Sequence, residues 1–223
     1  PDYVVDIKKI PELNVLKHGS DGLRLGAAVP CSQITADETI RKQYSALFDS
    51  SRIIGGVQIQ NRASVGGNLC NAGPAADSTP SLIALSATCV IAGPNGQREV
   101  PAHEFCVSKG ETVLQPGELL VEFKFPPRPA GSGSHYRRFI PRNEMDIAVV
   151  GVGASVTLDG DTITDARVSL GAVAITPLLA KEVADALKGQ PANDETYKAA
   201  GEVARSLINP ITDMRGTKEF RIH

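Results

Sequence analysis

Residues 58–80, QIQNRASVGGNLCNAGPAADSTP, set two adjacent glycines, Gly66 and Gly67, ahead of two amide side chains, Asn68 and Asn71, and a later carboxylate, Asp77. Glycine has no Cβ, so such a pair reaches positive φ and lets consecutive backbone N–H groups converge on an anion. Asn68 and Asn71 add amide donors, Ser64 a hydroxyl, and Asp77 an acceptor suited to ribose or ribityl hydroxyls. That chemistry favours a nucleotide-type cofactor. A Gly-Gly-Asn also serves as a plain bend between strand and helix. The GxGxxG fingerprint and the GxxxxGK[ST] phosphate loop are both absent, which disfavours the two nucleotide folds they mark.

Other chemistry is sparse. His18, His103, His135 and His223 are scattered; they form no Ser/His/Asp set and no metal-ligand spacing, and no paired catalytic carboxylates are evident. Cys31, Cys70, Cys89 and Cys106 lie 39, 19 and 17 positions apart with no CxxC, which argues against a zinc knuckle or a self-contained iron–sulfur centre. They read as reduced, mostly buried thiols of a cytoplasmic protein, and Cys70, inside the glycine loop, as a packing residue.

The formal charge of −2, from 23 basic and 25 acidic residues, leaves no basic excess for a nucleic acid. No apolar run approaches the roughly 20 residues that cross a bilayer. The 223 residues, 42% hydrophobic, suffice for one large domain or two small ones. The chain opens on Pro1 with no charged-then-apolar leader and is expected to begin inside a domain.

Several elements must position the loop. Residues 3–7 and 23–29 read as strands, and 37–47 as a helix with Asp37 as its cap. After the loop, Ser78 is expected to cap a short helix with Pro80 in its first turn. Residues 88–92 and 99–101 flank an Asn-Gly hairpin turn, and 118–125 reads as a further strand. The Pro-, Gly- and Ser-rich run 126–134 is taken as a domain boundary. Beyond it, 135–139, 147–158 and 162–174 read as three antiparallel strands, the last two joined at Asp159-Gly160-Asp161. Thr176 is expected to cap a helix starting at Pro177 that stops before Gly189. Asn193 caps the next, with Tyr197, Ala200, Val203, Ala204 and Leu207 as its buried stripe, and a last helix starts near Thr217. Strands followed by helices make this half a small α+β domain.

Four ordered blocks, RASVGGNLCNAGPAAD, EFCVSKGETVL, YRRFIPRNEMDIAVVGVGASV and LGAVAITPLLAKEVADALKG, resemble the FAD-binding medium subunit of molybdenum hydroxylases, the family of xanthine dehydrogenase, aerobic carbon monoxide dehydrogenase and 4-hydroxybenzoyl-CoA reductase. The resemblance covers nearly the whole chain. It implies an α+β fold: a FAD-binding PCMH-type (vanillyl-alcohol oxidase-like) domain over residues 1–127, then a small carbon monoxide dehydrogenase flavoprotein C-terminal domain, a three-stranded antiparallel sheet plus helices, over 134–223. Ser64, Val65, Gly66, Gly67 and Asn68 would then wrap FAD, with Asn71 beside them, and Asp77 would hold a sugar hydroxyl. Ile54 falls at an apolar contact of the family, Leu114 at an aliphatic position near the flavin, and Arg138 where a basic residue often lies near the cofactor. Read on their own, Ile54 and Leu114 are equally core residues, and Arg138 is a solvated cation on an edge strand. Arg142 and Asp146 could pair locally.

The family usually carries an earlier AGGTD-like loop upstream of the VVDI run; this sequence starts after it, and these 223 residues alone are expected to bind FAD weakly. The resemblance further implies an iron–sulfur small subunit and a molybdopterin large subunit as partners, with electrons passing through FAD to an external acceptor and no catalytic acid–base residue in this chain. A stand-alone flavin oxidoreductase and a flavin-free assembly module are the alternatives.

Overall fold

The computed structural model describes residues 2–142 and 144–223. Strands β1 (Leu16–Gly19), β2 (Gly22–Gly26), β3 (Thr88–Gly93) and β4 (Gly96–Pro101) are followed by a small separate hairpin, β5 (Cys106–Ser108) and β6 (Glu111–Thr112), and then by β7 (Leu119–Phe125). All but the small hairpin form one antiparallel sheet in the order β1-β2-β7-β3-β4. Its inner face carries Leu23, Leu25, Cys89, Ile91, Phe123 and Phe125, each at most 1% exposed, and burial stabilises such large apolar side chains by about 1.5–3 kcal/mol apiece. Helices α1 (Cys31–Ala36), α2 (Glu38–Gln43), α3 (Ser45–Arg52), α4 (Val57–Gln60), α5 (Val65–Cys70) and α6 (Ser78–Ala84) lie between β2 and β3 in the chain. Ile34, Ile40, Leu47, Leu69, Leu82 and Ile83 bring five of them into the same core.

The second sheet contains β8 (Ser132–Phe139), β9 (Val150–Asp159), β10 (Thr162–Gly171) and β11 (Leu178–Leu179) in the order β11-β10-β9-β8. On one face Val168, Leu170 and the partly buried Val152, Ala154 and Val156 pack against α7 (Lys181–Leu187) and α8 (Asp194–Leu207), making a second core. The opposite face receives α6, although α6 lies far earlier in the chain. Small residues make that possible. A Cβ on Gly153 would stand 2.5 Å from the Pro80 carbonyl oxygen, and one on Gly171 3.0 Å from Pro80 Cγ, so the strand glycines admit the helix backbone at close range. Arg167 adds a side-chain bond from Nε to the Ile83 carbonyl at 2.5 Å.

Several sequence expectations shift. Residues 3–7 form no strand; Tyr3, Val4 and Val5 are 89%, 87% and 78% exposed, and among the described residues no neighbouring strand offers them a ladder. The helix expected over 37–47 divides at Tyr44 into α2 and α3, because Tyr44 turns into the core, its ring 5.7 Å from that of Phe125 and its hydroxyl donating to the Pro126 carbonyl at 3.1 Å. Ser78 opens α6 without capping it, since its hydroxyl donates to Asn68 Oδ1 at 2.6 Å. Residues 178–179 are drawn into strand β11 by pairing with Leu170 and Ser169, so the helix expected from Pro177 starts at Lys181, and the sheet gains a fourth strand. Tyr197 is 50% exposed, whereas the rest of the expected stripe, Ala200, Val203, Ala204 and Leu207, faces the second core, with Thr196 also buried. The expected Asn-Gly hairpin and the Asn193 cap, which accepts the Thr196 N–H, are present, and the helix expected near Thr217 is α9 (Lys218–Ile222), capped by Thr217.

Candidate functional site

The glycine loop is helical, and this changes why its glycines are needed. Ser64 caps α5 by accepting the Gly67 N–H at 3.1 Å, and neither Gly66 nor Gly67 takes positive φ. Gly66 is required by packing: its Cβ would lie 2.3 Å from the Ala27 carbonyl oxygen, so α5 abuts the chain just after β2. Val65 is buried in the first core. Among the hydrogen bonds of the described residues, none uses the backbone N–H of Gly66, which leaves that donor uncommitted, while the antiparallel bridge between Pro30 and Ser64 turns the Val65 N–H toward the Val29 carbonyl. Gly67 is exposed, and only Ser64 Oγ would come within 4 Å of a Cβ there. The loop thus keeps an open, donor-rich edge.

Beside it lies a cleft of about 700 Å³ between α5, the 71–77 loop, β8 and the loops of the second sheet. Of the expected residues, Ile54, Asn68, Asn71, Asp77 and Arg138 line it. Ser64, Val65, Gly66, Gly67 and Leu114 stand outside this lining, and Leu114 packs partly buried against the first core. Asn68 accepts from the Ser78 N–H (3.1 Å) and hydroxyl (2.6 Å), which fixes its amide orientation with the NH2 end uncommitted. Asn71 is exposed on the same wall. Ile54, Ile59, Ile147 and Ile175 supply apolar surface around these polar groups. A concave, largely apolar site with a few convergent donors is the usual form of a small-molecule pocket.

Asp77 and Arg138 form the electrostatic centre. Arg138 is not a solvated cation: its side chain is 8% exposed and its Nη1 lies 2.6 Å from Asp77 Oδ2. Two further donors go to the Asp146 carbonyl at 3.1 Å and the Ile53 carbonyl at 3.2 Å, so the buried charge is paired and hydrogen-bonded. Tyr136 donates its hydroxyl to Asp77 Oδ1 at 2.8 Å. Burial still outweighs these partners and raises the Asp77 carboxyl above its ordinary value, while burial, reinforced by Asp77, pushes the Tyr136 phenol far up. The phenol is therefore a fixed donor. Each oxygen of Asp77 already accepts one bond and retains lone-pair capacity for another.

Sequence reading overlooked Tyr136. Its signal was the Tyr-x-Arg spacing of 136 and 138, which puts both side chains on one face of β8. The Arg142–Asp146 pairing occurs differently from expectation: the Arg142 backbone N–H donates to Asp146 Oδ2 at 3.2 Å, while the guanidinium turns to the Glu144 and Met145 carbonyls. The four cysteines are free thiols, and burial raises Cys31, Cys70 and Cys106 to about 11 and Cys89 further. Among the described residues no cluster of His, Cys, Asp and Glu could hold a metal, and no helix is long and apolar enough to cross a membrane.

Comparison with known proteins accounts for this combination. Residues 1–128 match the family described as the FAD binding domain in molybdopterin dehydrogenase, and residues 135–223 match the CO dehydrogenase flavoprotein C-terminal domain. The chain is 35% identical to a putative xanthine dehydrogenase FAD-binding subunit of Escherichia coli, an alignment covering 99% of this chain and 76% of that protein. Its fold is similar to that in carbon monoxide dehydrogenase of Hydrogenophaga pseudoflava, with a TM-score of 0.92 at 29% identity over 97% of this chain and 75% of the other. Quinoline 2-oxidoreductase of Pseudomonas putida gives a TM-score of 0.89 at 28% identity, covering 97% of this chain and 75% of that one. On the strength of both matched segments and these relatives, the chain belongs to the family of FAD-binding medium subunits of molybdenum hydroxylases.

Proposed function

We propose that this protein holds FAD against the α5 edge and the adjoining cleft, and passes electrons between the iron–sulfur clusters of a small subunit and an external acceptor. A molybdopterin-bearing large subunit would be the source or sink beyond those clusters. The observation that carries the reading is the uncommitted donor edge, the Gly66 N–H and the Asn68 amide, set beside a cleft in which the buried Asp77–Arg138 ion pair is already satisfied. FAD, when bound, supplies an isoalloxazine ring that takes and gives electrons singly or in pairs.

The chain supplies binding and orientation. Ser64, Val65, Gly66, Gly67 and Asn68 would present donors to the anionic part, with Gly67 leaving the approach open. Asn71 and Asp77 would take sugar hydroxyls, the latter with its spare lone pairs. Ile54 would exclude water from the flat part of the cofactor, and Leu114 would support that wall from the first core. Arg138 would hold Asp77 ionised in place and set a positive field at the cleft. In this reading residues 1–127 form the FAD-binding PCMH-type domain, and 134–223 the flavoprotein C-terminal domain that closes the cleft. Four free thiols favour a reducing compartment, hence the cytoplasm.

The test is the visible spectrum and subunit content of the purified full-length protein. Flavin absorbance together with co-purifying iron–sulfur and molybdenum subunits is the expected result. A flavin-free protein that does not take up added FAD would overturn the reading.

A further inference from the structure

Helix α6 is held at both ends by side chains from other elements. At its N-terminal end, beside the cleft, the Ser78 N–H and hydroxyl both donate to Asn68 Oδ1, and the preceding Asp77 is held by Tyr136 and Arg138. At its C-terminal end Arg167 of β10 donates its Nε–H to the Ile83 carbonyl at 2.5 Å and points Nη2 at His103 Nδ1, 3.5 Å away. His103 lies in the short turn Ala102–Glu104 that follows β4. A guanidinium has only donors, so Nδ1 is the bare, accepting nitrogen and the ring proton sits on Nε2, which faces Glu104 Oε1 at 3.5 Å. The geometry therefore calls for a neutral imidazole.

The charge around that ring is one-sided. His103 faces Arg167 of β10 and Lys181 at the start of α7, and Glu104, on its own turn and exposed, is the carboxylate that opposes them. Asp165, two residues before Arg167, is taken by Lys188 Nζ at 2.9 Å, and among the described residues no carboxylate comes within ion-pair distance of Arg167. Helix α6 carries no titratable side chain, and the Cys106 thiol of β5, raised by burial to about 11, stays neutral. Burial first, and then Arg167, lowers the His103 imidazole below its ordinary 6.5. Protonation at Nδ1 replaces the acceptor by a second donor facing Arg167, and the guanidinium has to swing away from the Ile83 carbonyl. Helix α6 then loses its side-chain fastening to β10, and what remains there is the close seat over Gly153 and Gly171.

We propose that His103 and Arg167 are positioning residues that act through α6 on Asp77 and Ser78, so that acidification releases the helix and loosens one wall of the cleft. The consequence for cofactor retention rests on the FAD reading; the release of α6 does not. Because the folded imidazole takes its proton at a lower pH than the unfolded one, the contact stabilises fully above 6.5 and is lost as pH falls through the lowered value.

The experiment compares the full-length wild type with its H103Q and R167M variants between about pH 8 and about pH 5, reading NMR-detected hydrogen exchange corrected for intrinsic rates, alongside FAD titrations. In the wild type the protection of the Leu85 amide, bonded to the Ser81 carbonyl, and of the Ser78 amide, bonded to Asn68, is expected to fall about tenfold on acidification, with the FAD dissociation constant rising by a similar factor. H103Q keeps an acceptor for Arg167 but takes no proton, and is expected to lose most of this dependence. Asp77, raised by burial, is common to both proteins, so the difference between them belongs to His103. R167M is expected to show the acid values at every pH; should it fail to fold, the comparison of wild type with H103Q decides alone. Equal acid responses in wild type and H103Q, or none in either, overturn the proposal, as does a Ser78 amide indifferent to pH while Leu85 responds. A Ser78 amide that responds through His103 in a protein that takes up no FAD supports the proposal and overturns the FAD reading alone.

Discussion

The two faces of the second sheet are built from the same strands and work in opposite ways. Toward α7 and α8, β9 and β10 present Val152, Ala154, Val156, Val168 and Leu170, and stability there comes from side chains interlocking. On the α6 side they present Gly151, Gly153, Ser155, Ser169 and Gly171; Pro80 and Ser81 of α6 fill the space over Gly153 and Gly171, and the Tyr136 phenol fills that over Gly151. The registers Gly151↔Gly171 and Gly153↔Ser169 put these small residues side by side across the strands. A face without large residues is therefore a seat for another segment. That seat carries α6, whose first residue Ser78 holds Asn68 and whose preceding residue is Asp77, so one face is coupled to the cleft and the other is remote from it.

Substitutions separate the two. Gly153→Val should be the most damaging, because its Cβ alone meets the Pro80 carbonyl oxygen at 2.5 Å and neither backbone yields easily; a loss of about 3–5 kcal/mol is expected in urea denaturation, together with weakened FAD retention. Leu170→Ala, on the other face, should cost about 3 kcal/mol through the cavity it leaves, yet the folded fraction should keep wild-type FAD affinity. Equal effects of the two on FAD would break the contrast. Gly171→Ala is milder, since 3.0 Å to Pro80 Cγ can be relieved by a small shift of the ring, and about 1 kcal/mol is expected by the same assay.

The smallest effect belongs to a control on neither face. The Arg98 guanidinium and the Gln115 N–H hold the Glu118 carboxyl at about 2, down from 4.5. A depressed carboxyl stabilises the fold above its unfolded value, and that contribution is lost as pH falls from 4.5 through about 2. Glu118→Gln should flatten this acid limb of the urea midpoint against pH, with FAD affinity at neutral pH unaltered.

Local chemistry made much of this fold legible. Asp37, Asn193 and Thr217 act as caps because their side chains reach N–H groups three residues on, and the Asn-Gly and Asp-Gly-Asp turns set their hairpins. Long-range demands were harder to see. Tyr44 breaks a helix because Phe125 and Pro126, some eighty residues later, claim its ring and hydroxyl. Leu178 and Leu179 leave a helical pattern because a sheet edge is waiting for them. In the site, Asn68, Asn71 and Asp77 were visible as polar groups near glycines, whereas the reason for Gly66, contact with Ala27, lay outside any local pattern. Arg138 looked like a surface charge because its partner sits 61 residues away. The alternation Gly151-x-Gly153-x-Ser155 was the available sign that something approaches β9 closely.

The seating of α6 also bears on how the molecule assembles in time. Arg167 meets Ile83 across a sequence separation of 84, and Tyr136 meets Asp77 across 59, so α6 has no complete surroundings until β10 has formed. Such non-local closure slows folding and binds the two halves into one cooperative unit, so an early β-sheet without α6 would expose its glycine-lined face. Native-state hydrogen exchange should find the amides of α6 and β9 opening with the same free energy; distinct values would mean that the halves come apart independently.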